Sequence, residues 1–167
     1  FLIIFIVLYM TFGSFAEALI VIVATAYAMT GGLVLQYILG YNFSVAVWVG
    51  YITVYGVAVM TGVMMMVFLN DALKEKMKDG REISMQDIYD ATIEGSVMRL
   101  RPKLMTVATT MIGLIPIMWS SGVGADVMKP IAAPIIGGMV TSTIQVLIIT
   151  PVIFIMMKER ALRKGKL

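Results

Sequence analysis

Glu17 is the only charged side chain among the first 70 residues. Nothing else in the sequence constrains the fold as strongly. A soluble element needs a polar face for water, and an uncharged run of this length offers none. A bilayer core about 30 Å thick takes roughly 20 apolar residues as helix, the form that satisfies its own backbone hydrogen bonds in lipid. Composition agrees: 60% of the 167 residues are apolar, 14% are charged, and mean hydropathy is +0.94. The chain is all-α, a polytopic transmembrane helix bundle.

Five apolar spans can be drawn. Phe1 to about Phe12 is too short to cross and is expected to be the end of a truncated helix. The second span covers about Ala18 to Leu39, and the third about Ser44 to Leu69. The fourth covers about Leu104 to Trp119, and the fifth about Ile131 to Met157. The organisation is therefore 1–69 with the truncated span and two full helices, a loop 70–103, two more helices in 104–157, and a basic tail 158–167. A start at Phe1, inside an apolar run with no basic segment before it, is expected for a piece of a longer protein.

Lys and Arg set the orientation. Seven of the thirteen lie in residues 74–103, five follow Met157, and only Lys129 lies elsewhere. The positive-inside rule puts loop 70–103 and the C-terminus in the cytoplasm, and Tyr41-Asn42-Phe43 and SSGVGADVMKP on the opposite side. Within the loop, DALKEKMKDGRE is expected to be solvated. Ser84 with Asp87 has the spacing of a capping box, and Ile83 with Ile88 that of a hydrophobic staple. A short amphipathic helix with Met85, Ile88, Thr92 and Gly95 along one side is expected there, either at the membrane interface or as a plain connector. Asp87, Asp90 and Glu94 are expected to be solvated loop acids. Small residues, Gly50, Gly56, Ala58 and Gly62 in the third span and Gly137, Gly138, Thr141 and Ser142 in the fifth, mark places where helices approach closely.

The chemistry-bearing residues are few. There is no Cys and no His, which removes disulfides, thiolate sites and imidazole ligands. There is no phosphate-binding loop and no nucleophile–base pair, so enzyme chemistry has no support. Nucleic acid is not an expected partner. Methionine is abundant instead, with sixteen residues, four of them within GVAVMTGVMMMVFLN. Consecutive helical residues point about 100° apart, so Met64, Met65 and Met66 cannot all face one path. Met60 and Met64 share a face and are able to act as a pair, while Met65 and Met66 are expected to pack. For Met60 and Met64, packing stays open as well. Lys103, after Pro102 at the mouth of the fourth span, either snorkels with Arg99 and Arg101 or serves a polar path inside the membrane.

The order of FGSFAEALIVI, a Gly-Gly pair, the methionine-rich third span, GSVMRLRPKLMT and GLIPIMWSSGVGADVMKPIAAPIIGGMVTST resembles one family. It is similar to the C-terminal membrane half of resistance-nodulation-division pumps, in the heavy-metal efflux branch of copper/silver type. The resemblance covers essentially the whole chain and implies the last five of twelve transmembrane helices. It implies export of Cu(I) or Ag(I) by antiport with protons, with the metal as substrate and no cofactor. Implied partners are the missing N-terminal half and periplasmic domains, two further copies in a homotrimer, a periplasmic adaptor and an outer-membrane channel, all at the bacterial inner membrane. It implies a proton-relay role for Lys103, with Arg101 as a weaker candidate, and a thioether station for metal at Met128. Copper and silver members often carry a carboxylate where Met60 stands, and this chain departs from them there. Divalent-metal export, export of organic compounds and a non-transporting scaffold are the rival readings. A lysine near position 60, expected for an organic-compound exporter, is absent.

Overall fold

The computed structural model describes residues 1–165 except Asp79 and Arg81. Its helices are α1 (Leu2–Phe12), α2 (Phe15–Leu39), α3 (Val45–Met77), α4 (Met85–Trp119), α5 (Ala125–Ile144) and α6 (Thr150–Arg163), with a π-helical turn at Gln145–Ile149 joining the last two. The described residues contain no strand. Four helices are long and apolar enough to cross a membrane, α5 and α6 counting as one of 39 residues.

Local chemistry sets most of the boundaries. Gly13 and Gly40 end α1 and α2 in the left-handed conformation, with φ of 64° and 70°, a region that only glycine enters at no steric cost. The Ser44 hydroxyl caps α3 by accepting from the Val47 N–H. The expected capping box opens α4: the Asp87 N–H donates to Ser84 Oγ at 3.3 Å, and the Ser84 N–H to Asp87 Oδ2 at 3.0 Å. Pro151, which has no N–H, follows the π turn, where the Thr150 hydroxyl donates back to the Gln145 carbonyl.

Several helices run past the expected spans. At 1.5 Å per residue, α3 and α4 are each about 50 Å long, some 20 Å more than a bilayer core. Their excess lies at the basic end, where Leu69, Ala72 and Leu73 pack with Ile88 and Ala91 in one apolar cluster. The amphipathic segment is thus the first part of α4. Its side bearing Ile88, Thr92 and Gly95 is buried, because α3 continues alongside it. Residues 71–77 of the expected solvated loop belong to α3, while Asp79 and Arg81 of that loop lie outside the described residues. Asp87, Asp90 and Glu94 are helical rather than loop residues, and Glu94 pairs with Lys76 at 3.3 Å. The tail reading is changed in the same way: α6 continues to Arg163, and Lys166 and Leu167 lie outside the described residues.

Glycine makes the closest helix crossings. A Cβ on Gly31 of α2 would run into the Gly137 carbonyl and Thr141 of α5, and one on Gly50 of α3 would meet the Ile131 carbonyl at 2.6 Å. The Thr141 hydroxyl donates to the Ala28 carbonyl at 2.7 Å, tying α5 to α2. Gly56 departs from the expectation of contact, since a Cβ there would meet nothing within 4 Å. Its side of α3 is not covered by this chain.

Candidate functional site

Lys103 is the most deeply buried cation of the bundle, with 2% of its surface exposed. It sits on α4 between α3 and α5, and its Nζ donates to Thr61 Oγ1 and Ser142 Oγ, each at 3.4 Å. The Thr61 hydroxyl spends its own hydrogen on the Val57 carbonyl at 2.7 Å, which turns its oxygen lone pairs toward the ammonium. An ammonium has three donors, and two neutral hydroxyls occupy two of them. Among the described residues the ion pairs are Lys76–Glu94, Lys158–Glu17 and Arg163–Glu159, and none involves Lys103. Long hydrogen bonds to hydroxyls compensate poorly for desolvating a charge. The third donor of the ammonium has no ionic partner among the described residues.

The other sequence candidates do not converge on Lys103. Arg101, two residues earlier on α4, is exposed. Met60 and Met64 share a face of α3 as the spacing requires, and Met60 is 67% exposed, turned away from the chain's own core. Met65 and Met66 are fully buried in the apolar cluster at the basic end. Met128 is exposed in the first turn of α5 rather than in a loop. That helix starts at Ala125 instead of near Ile131 because Gly124, at φ 89°, turns the chain into it, and Asp126 sits where the N-terminal dipole favours an acid. Met128 and Ser142 are 14 residues apart on α5, about 21 Å along the axis. Met128 and Lys103 are thus at different depths. Among the described residues no three acidic side chains are placed so that they could hold a metal ion together.

Sequence reasoning missed three polar groupings. Ser142 was legible only as a small packing residue, and Thr61 was not singled out at all. The Tyr51 hydroxyl donates to Gln36 Oε1 at 2.6 Å, joining α2 to α3 near the Tyr41 end. At the basic end the Glu17 carboxylate accepts from Asn70 Nδ2 at 2.9 Å and from Lys158 Nζ at 3.3 Å. The signal for the last was present: a lone acid in 70 apolar residues must find partners if it is buried, and Glu17 is 5% exposed.

These features define a bundle of helices long enough to cross a membrane, with a buried lysine that has two hydroxyl partners and no ion pair among the described residues. Residues 1–158 match the model of the AcrB/AcrD/AcrF family, and the chain belongs to that family. Its relatives in this family are transporters rather than enzymes, and those it matches include heavy-metal efflux and resistance proteins. It is 40% identical over 158 residues to the cation efflux system protein CusA of Escherichia coli (strain K12), covering 93% of this chain and 15% of that protein. It is 33% identical over 153 residues to the cobalt-zinc-cadmium resistance protein CzcA of Cupriavidus metallidurans, covering 92% and 14%. Its fold is similar to the X-ray crystal structure of a heavy metal efflux pump, crystal form II, with TM-score 0.77, 30% identity, and coverage of 93% of this chain and 15% of that one. The chain therefore spans about 15% of the length of these relatives. It is a multi-pass membrane protein.

Proposed function

We propose that this chain is the C-terminal membrane part of a pump that exports Cu(I) or Ag(I) in exchange for protons, with Lys103 in the proton relay. One observation carries the reading: an ammonium buried at membrane depth, held by two hydroxyls and lacking an ionic partner among the described residues. A carboxylate on a helix of the missing half supplies the third contact, and its protonation changes what Lys103 binds. Arg101, exposed two residues away, is the secondary relay candidate. No cofactor takes part, and the metal ion is the substrate.

The metal preference rests on ligand chemistry. Thioether sulfur is soft and favours Cu(I) and Ag(I) over Zn(II), Co(II) or Ni(II). The sequence offers sixteen methionines, no Cys and no His. Met128 is a single exposed thioether, and Met60 and Met64 form an outward-facing pair one turn apart. Weak, separated sites of this kind suit an ion that must be handed on. Export of divalent metals is the second reading. Identity to CusA is 40%, against 36% to the nickel and cobalt resistance protein CnrA and 33% to CzcA, which favours the first.

The pump is a homotrimer in a bacterial inner membrane, with its basic end and C-terminus in the cytoplasm. It is completed by its N-terminal half and periplasmic domains, and joined to a periplasmic adaptor and an outer-membrane channel. The test is Lys103→Met in the full-length pump, reconstituted in proteoliposomes with a pH-sensitive dye inside. Silver-dependent proton movement is expected to vanish while the protein still inserts and assembles. Antiport that persists would rule out the relay.

A further inference from the structure

A mainly apolar layer separates Lys103 from the basic end of the bundle, and a part-buried ion pair lies at that end. The order can be followed along three helices. On α3, Thr61 beside Lys103 is followed by Met65, Met66 and Leu69, and then by Asn70. On α5 and its continuation, Ser142 is followed by Val146 and Phe154, and then by Lys158. On α2, Val21 and Ala18 belong to the same apolar cluster, and Glu17 comes next. From Thr61 to Asn70 the layer is about 13 Å deep. Met65, Met66, Leu69, Val146 and Phe154 are all 0% exposed, and the polar side chains at this depth, Gln145 and Thr150, are hydrogen-bonded to each other at 3.0 Å.

Beneath the layer, both oxygens of Glu17 are engaged: Oε2 accepts from Asn70 Nδ2 and Oε1 from Lys158 Nζ. These three residues come from α2, α3 and α6, so one carboxylate ties three helix ends together. The Lys158 ammonium also lies 5.4 Å from the centre of the Phe154 ring, within the apolar layer. Beside the pair is a cleft of about 290 Å³ at the basic end, lined by Glu17, Asn70, Asp71, Lys74 and Lys158 together with the apolar Phe12 and Val67.

We propose that Glu17 is a positioning residue: with Lys158 and Asn70 it clamps α2, α3 and α6 shut under the methionine-lined layer. The clamp keeps cytoplasmic water from reaching Lys103 on this side of the bundle. An antiporter needs such a barrier, because a relay wetted from both sides conducts protons without moving metal. Methionine suits the layer, since its flexible thioether fills gaps that shift as helices move. The inference rests on Lys103 being the relay and on the basic end facing the cytoplasm.

The test measures water access and not transport. In the full-length pump, freed of any cysteine elsewhere, Ser142→Cys places a thiol beside Lys103. Labelling by a charged, membrane-impermeant methanethiosulfonate is followed in inside-out vesicles, which expose the cytoplasmic side. With Glu17 intact, labelling is expected to be slow. Glu17→Gln and Lys158→Met should each speed it at least tenfold, and the two together should add little, because either change opens the same clamp. A second thiol, Ser121→Cys at the far end, should stay unlabelled in these vesicles throughout. Unchanged rates in both variants overturn the proposal. So does a fall in thermal midpoint with no faster labelling, which would mark the pair as stabilising only. Should Glu17→Gln fail to assemble, Asn70→Ala tests the same clamp through its other donor. A wrong relay assignment would appear separately, as antiport retained by Lys103→Met, and would leave these labelling rates as they are.

Discussion

At the scale of single residues, burial separates side chains that the sequence presents as equals. Met64, Met65 and Met66 are consecutive, yet Met65 and Met66 are fully buried while Met64 is 36% exposed. Their 100° offsets made a split certain, but the direction of the split depends on where α2 and α6 pack. Two predictions follow the split. In the full-length pump, Met66→Ala should lower stability by about 2–4 kcal/mol, the usual cost of truncating a buried methionine to alanine, read as a fall in thermal midpoint. Met128→Ile keeps bulk and removes the thioether from an exposed position. It should leave the midpoint unchanged and reduce silver tolerance of cells at equal protein level, and unchanged tolerance would remove Met128 from the metal path. The chemistry of Lys103 was partly legible, since RPK at the edge of a span marks a costly cation. Its contacts with Thr61 and Ser142 were not legible, because those residues come from helices 42 and 39 positions away in sequence.

At the scale of elements, caps and breakers were readable and helix lengths were not. Ser84 with Asp87 and the left-handed Gly40 act within a few residues, so the sequence alone carries them. Hydropathy ends a span where charge begins, whereas α3 and α4 continue because they support each other outside the bilayer through Leu69, Leu73, Ile88 and Ala91. The same limit applies to glycine. Gly56 and Gly137 both read as contact positions, but only Gly137 lies against another backbone, that of Gly31. Gly137→Val should therefore separate α2 from α5 and destabilise the protein by about 1–3 kcal/mol or more, the usual cost of overpacking. Gly56→Ala, inside a helix with open space around its Cβ, should not destabilise and should gain up to about 1 kcal/mol, the helix-propensity difference between the two residues. Thermal unfolding of the two variants in detergent checks the contrast, and equal losses would refute the crossing as the cause.

At the scale of the whole molecule, much of the apolar surface of the membrane helices is left uncovered by this chain's described residues. Within its membrane part α4 buries only Lys103 and Val107, and Met105 and Ile112 are 62% and 70% exposed. Sequence alone determined the solvent of this protein, its helical class, its basic end and its family, because these depend on composition, on charge placement and on motifs carried within short stretches. Only tertiary structure decided that Lys103 meets two hydroxyls and, among the described residues, no carboxylate, that Glu17 joins three helices, and that Met65 and Met66 pack in the apolar cluster between them. The physical reason is range. Hydrophobicity and capping act over a few residues, whereas the fate of a buried charge is set by what distant helices bring within about 3 Å of it.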